Sequence, residues 1–146
     1  MTFLVIKNAS LVYSLSKSKL SFQSNRCLVV EKASGKIIAN FPQEAHSQLQ
    51  PYEPYETLTL KKGQIIIPGL VDCHVHAPQF SFVGTGLDLP LLEWLRKYTF
   101  PNESRFENLD FAHKAYQSSV NSHLRNGTTT ICYFATLHLP ASILLA

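Results

Sequence analysis

Residues 64–76 read Gln64-Ile65-Ile66-Ile67-Pro68-Gly69-Leu70-Val71-Asp72-Cys73-His74-Val75-His76, an apolar run that ends in two histidines separated by one residue. Side chains on an extended strand alternate between faces, so His74 and His76 point one way and Cys73 and Val75 the other. Two neutral imidazoles on one face make half of a metal site. Zinc takes histidine nitrogen at about 2.0–2.1 Å, and its catalytic sites usually have three protein ligands with a fourth position open to water. A bare His-x-His also occurs on solvated loops, and the run before it decides between the two readings. A near-continuous apolar strand belongs in a sheet buried on both faces, as in parallel sheets and barrels. The carboxyl end of a barrel strand is where enzymes of that architecture carry their chemistry. The stretch therefore predicts an α/β fold with a metal-ligating pair at a strand end. Asp72 shares the parity of the histidines, and a hydrogen-bonding role beside the ligands suits it better than ligation.

Outward from this stretch, composition sets the bounds. At 146 residues, 45% hydrophobic and 16% charged, the chain has the make-up of a globular domain rather than a disordered one. The net charge of +3 is spread thinly, densest at Lys17-Ser18-Lys19 and Lys61-Lys62. No arginine and aromatic interleaving suggests a nucleic-acid surface, and these lysines read as a solvated face. The start, Met1-Thr2-Phe3-Leu4-Val5-Ile6-Lys7, lacks the basic region of a signal peptide, and its apolar run is too short to span a membrane. A cytosolic protein is expected. Cys27, Cys73 and Cys132 are odd in number and widely spaced, which argues against a disulfide scaffold or a zinc ribbon; they are read as reduced, mostly buried thiols.

Two segments follow from the patterning. Residues 1–62 form a β-rich segment, with Phe3–Tyr13 and Arg26–Phe41 rich in β-formers and a turn at Ala33-Ser34-Gly35-Lys36. Pro42–Glu56 has no period and reads as a surface loop with a solvated His46. Residues 63–146 carry the buried strand, a Gly84- and Gly86-containing loop expected over the metal, and a helix over Pro90–Tyr98 stopped by Pro101. Trp94 is read as packing on that helix. A second helix spans roughly Asn108 to Arg125 and is capped by Asn126-Gly127, and a strand covers Thr128–Thr136. Strand, helices and strand make a parallel unit. His113 and His123 sit on the second helix away from any ligand-like partner and are expected to be structural or exposed. His138, just past the second strand, reads as a loop histidine.

The combination Pro68-Gly69-Leu70-Val71-Asp72-x-His74-x-His76, behind a small β segment and before a βα unit, resembles the amidohydrolase superfamily of metal-dependent hydrolases. Further strings, His76-Ala77-x-Gln79-Phe80-Ser81-Phe82, Leu87–Leu95, Lys97–Pro101, Asn126–Thr130 and Cys132–Thr136, are similar to the guanine deaminases within it. The resemblance implies a (β/α)8 barrel preceded by a composite β-sandwich segment, with one zinc ion per subunit, and hydrolytic deamination of guanine to xanthine and ammonia. Zinc lowers the pKa of bound water to about 7 and so supplies hydroxide near neutral pH. By the motif match His74 and His76 are zinc ligands, and His76, Ala77, Pro78 and Gln79 line the purine site. An amide such as Gln79 offers both donor and acceptor, as a purine edge does. Pro78 stands where family members often carry a small polar residue.

The same resemblance requires a third zinc histidine, a catalytic glutamate, a substrate-clamping arginine and a late aspartate, and none has a counterpart in these residues. No catalytic acid or base is therefore assigned here. A whole barrel takes about 250 residues, and residues 63–146 supply its first two β/α units. The expectation is an incomplete enzyme, whether a fragment, a splice product or a partial gene, inactive alone and homodimeric when full length. Two alternatives stay open. One is a related amidohydrolase acting on a cytosine- or triazine-like heterocycle, and the other a non-catalytic product that serves only as a binding partner or an inert remnant.

Overall fold

The computed structural model describes residues 2–146, which divide into two compact units at Pro68–Gly69. The first is a four-stranded sheet of β1 (Phe3–Ser16), β2 (Lys19–Glu31), β3 (Lys36–Pro42) and β4 (Tyr55–Thr59), in the order β3-β2-β1-β4. β1 and β2 form a long antiparallel hairpin closed by Ser16 opposite Lys19, so the lysine-rich spot is its exposed turn. Halfway along, the pairing slips between Ile6 and Ala9. Asn8 and Asn25 there take φ of 56° and 53°, a left-handed conformation that asparagine tolerates better than most residues, and the strands bend. β4 runs parallel to β1, from Phe3 opposite Tyr55 to Lys7 opposite Thr59.

Alternation along these strands sends Val5, Cys27, Val29 and Phe41 into one buried cluster. Leu49 joins them from a 3-10 helix over His46–Tyr52. The Pro42–Glu56 stretch is thus more than a surface loop: Leu49, with Ala45 and Tyr52 partly buried beside it, packs it onto the sheet, and its end enters β4. Ala9, Leu11 and Leu28 form a second cluster.

The second unit is built on two parallel strands, β5 (Leu70–His76) and β6 (Thr128–Phe134). Between them come a 3-10 turn at Ala77–Phe82 and a helical run made of α1 (Leu91–Trp94), a π turn at Leu95–Thr99, α2 (Phe100–Ser104) and a 3-10 turn at Arg105–Glu107. The expected stop at Pro101 does not occur. Proline is tolerated where a first-turn N–H has no partner to lose, and Pro101 sits in the first turn of α2, just after the π turn. Trp94 packs as expected, its indole N–H donating to the Thr85 carbonyl at 2.7 Å.

Next comes α3 (Leu109–Arg125), whose Asn108 side chain accepts from the N–H of Phe111 at 3.0 Å and so satisfies one free amide of the first turn. At its other end Gly127 takes φ 86°, the left-handed position that favours glycine, and its N–H donates to the Leu124 carbonyl. A last helix, α4, covers Leu139–Leu145. Phe106, Ala112, Tyr116, Ala77 and Ala141 form the core of this unit.

The apolar run of residues 64–71 is not the doubly buried strand that its composition suggests. Only Ile66 bridges, to Leu11, and the strand proper begins at Leu70. Ile65, Ile67, Leu70 and Val71 are all about half or more exposed. Ile65 and Ile67 lie outside β5, and for Leu70 and Val71 the reason is the sheet itself: β5 has one hydrogen-bonded neighbour, β6, and a two-stranded sheet has too little packed around it to bury its strands. No helix among the described residues is long and apolar enough to cross a membrane.

Candidate active site

β5 brings His74 and His76 together as the strand alternation requires. Their Nε2 atoms stand 3.1 Å apart. Two nitrogens bound to one zinc at 2.0–2.1 Å with tetrahedral angles lie about 3.3 Å from each other. The pair therefore fits one edge of a zinc coordination shell. Among the described residues no group of three His, Cys, Asp or Glu side chains completes such a shell.

Asp72 does not reach for that edge. Its Oδ1 accepts from the main-chain N–H of His74 at 3.0 Å, which ties the carboxylate to the strand that carries the two histidines. Against β6 the register slips between Asp72 and Val75, so the strand is irregular where the histidines emerge.

His74 and His76 open onto a cleft of about 330 Å3 shared with Gln79, Phe80, Val83 and His123. That volume lies at the small end of ligand sites, roughly 300–1,000 Å3. Of the four expected substrate contacts, His76 and Gln79 line the cleft, whereas Ala77 and Pro78 are buried in the packing of the 3-10 turn. Gln79 donates from Nε2 to Oε1 of Glu103 at 3.0 Å. A carboxylate only accepts, which fixes the amide's orientation.

His123 departs from expectation, because it lines the cleft instead of standing apart. Its Nδ1 lies 2.7 Å from the Ser119 carbonyl oxygen, so Nδ1 carries the hydrogen and Nε2 keeps the lone pair in the neutral ring. The Tyr133 ring meets it edge-on at 6.0 Å. Burial pushes the Tyr133 hydroxyl up from its ordinary pKa, a shift that Ser119 opposes and the Asp72 charge reinforces. His138 precedes α4 and does not line the cleft. The cysteines differ in kind: Cys27 is buried, but Cys73 and Cys132 are exposed, since the strands that carry them have an uncovered face.

Residues 65–146, more than half of the chain, match the pattern of the amidohydrolase family. The chain belongs to that family. Guanine deaminase of Homo sapiens is 52% identical over 118 residues, which are 77% of this chain and 26% of that protein. Guanine deaminase of Dictyostelium discoideum is 59% identical over 84 residues, 58% of this chain and 19% of that protein. A solved structure, guanine deaminase from C. acetobutylicum with guanine bound in its active site, superposes with a TM-score of 0.72 at 32% identity, covering 98% of this chain and 32% of that one. The chain thus spans about a quarter of the human relative and about a third of the solved neighbour.

Within this amidohydrolase segment, sequence reasoning missed three neighbours of the site. His123 is one, and its four-residue spacing from Ser119, on the same helical stripe as Tyr116, is the signal that could have found it. Glu103, the partner of Gln79, sits in a helical turn that the proline disguised. Phe134 ends β6 opposite His76, and only the strand pairing reveals it.

Proposed function

We propose that this amidohydrolase chain carries one side of the active site of an enzyme that hydrolyses guanine to xanthine and ammonia, on the first two strands of a (β/α)8 barrel. The observation that supports it most directly is the shared cleft, in which a 3.1 Å imidazole pair and an amide face the same space. When bound, zinc supplies an ionisable water near neutral pH. His74 and His76 would hold the ion through Nε2, and the Asp72 carboxylate steadies the main-chain amide of His74. Gln79 would meet the purine edge while Glu103 orients its amide. The likeness to guanine deaminases supports guanine over cytosine- or triazine-like rings as the substrate. One zinc per subunit, a full-length homodimer and a cytosolic setting belong to the same reading, and the three unpaired cysteines are consistent with a reducing compartment.

The test is an assay of the open reading frame in which these residues occur. Xanthine and ammonia should form from guanine, and His74→Ala or His76→Ala should abolish both. Ammonia from another heterocycle without xanthine from guanine would overturn the substrate assignment. The 146-residue chain alone should give no xanthine above its own His74→Ala background, because two imidazoles hold a metal weakly and without geometric selectivity.

A further inference from the structure

Phe134 closes β6 directly opposite His76, and its ring lies against both imidazoles. Its centroid is 4.5 Å from that of His74, tilted by 34°, and 5.0 Å from that of His76, nearly parallel at 17°. The two imidazoles are themselves 5.1 Å apart. One phenyl group therefore backs both rings at once. The side chain is 45% exposed and belongs to none of the buried clusters, so core packing does not account for where it sits.

Chelation by two exposed side chains requires both to be fixed together, and the rotamer freedom lost offsets part of the binding energy. A flat ring stacked on His76 and leaning against His74 removes some of that cost before any ion arrives. Stacked aromatic pairs contribute beyond their buried area, and phenyl carries no lone pair with which to ligate.

We infer that Phe134 is a positioning residue that holds His74 and His76 with their Nε2 atoms on one edge, ready for a divalent metal ion. This rests on the metal reading of the histidine pair. The experiment follows the imidazole NMR signals of the 146-residue chain while zinc chloride is added at constant pH. In the unsubstituted chain the His74 and His76 rings should respond together. Phe134→Leu should weaken that binding about three- to tenfold, and Phe134→Tyr, which keeps the ring, should restore it.

Equal zinc affinity for Phe134→Leu and the unsubstituted chain overturns the inference, as does a weakening that tyrosine fails to restore. No zinc response at either histidine in the unsubstituted chain overturns the metal reading itself and the inference with it. Amide dispersion is recorded alongside: collapse with both Phe134→Leu and Phe134→Thr would make Phe134 a folding residue and overturn the proposal.

Discussion

The carboxylate of Asp72 accepts a hydrogen bond from the main-chain N–H of His74, two residues further along the same strand. A side chain that bonds its own backbone in this way competes with ladder pairing, and here it coincides with the register slip before Val75. Asp72→Ala should free the His74 amide, whose hydrogen exchange should accelerate about three- to tenfold, the effect of losing one hydrogen bond of roughly 1 kcal/mol. Asp72→Asn keeps an acceptor and should exchange close to the unsubstituted rate. Residue-resolved exchange by NMR checks both.

Gly69 and Thr129 set a second constraint. A Cβ on Gly69 would lie 1.9 Å from Thr129 Oγ1 and 2.7 Å from Thr129 Cβ, far inside contact distance. Because the second of these atoms is fixed to the backbone of β6, a rotamer change cannot relieve the overlap. Gly69→Ala should destabilise the second unit by about 1–3 kcal/mol, as overpacking does, read as a lower midpoint in urea. Adding Thr129→Gly should recover much of the loss.

Tyr116 carries a pH dependence. Burial, and then the charge of Glu103, push its hydroxyl up to about 12. An unfolded tyrosine titrates near 10, so the native chain keeps a proton that the unfolded chain gives up. Stability should be full below pH about 10 and fall as the pH rises through about 12. Denaturation midpoints measured across that window should show the decline, and Tyr116→Phe should flatten it.

Much of this architecture is legible in the residues. Runs of β-formers mark most of β1, the second half of β2 and β3, while Lys19–Asn25 of β2 goes unmarked, and the Asn108 cap with the Asn126-Gly127 ending brackets α3 within a residue. The histidine pair follows from strand parity alone. What stays hidden depends on neighbours distant in sequence. Ile65, Ile67, Leu70 and Val71 have a buried strand's composition, but the first two lie before β5, and the last two sit in a sheet of only two strands. Pro101 looks like a stop because the sequence does not announce the π turn that seats it in a first turn. His123 and Phe134 reach the site through packing of α3 and pairing of β6, which no local pattern encodes.

The second unit also leaves large apolar side chains in water, including Leu137, Leu139 and Ile143, each more than 65% exposed. Large apolar side chains left in water favour association. The 146-residue chain should therefore self-associate in a concentration-dependent way, and Leu139→Lys with Ile143→Lys should reduce it. Light scattering of both proteins at matched concentration measures the difference.

The bond between Gln79 and Glu103 has a bearing on molecular discrimination. Because the carboxylate can receive hydrogens but not give them, the nitrogen end of the amide is turned toward Glu103, and the opposite end is oxygen. A visitor that approaches that oxygen must bring a hydrogen of its own, or must first pull the amide away from its partner. The polarity of the amide at this edge of the cleft is thus set by a glutamate 24 residues downstream, before anything arrives there.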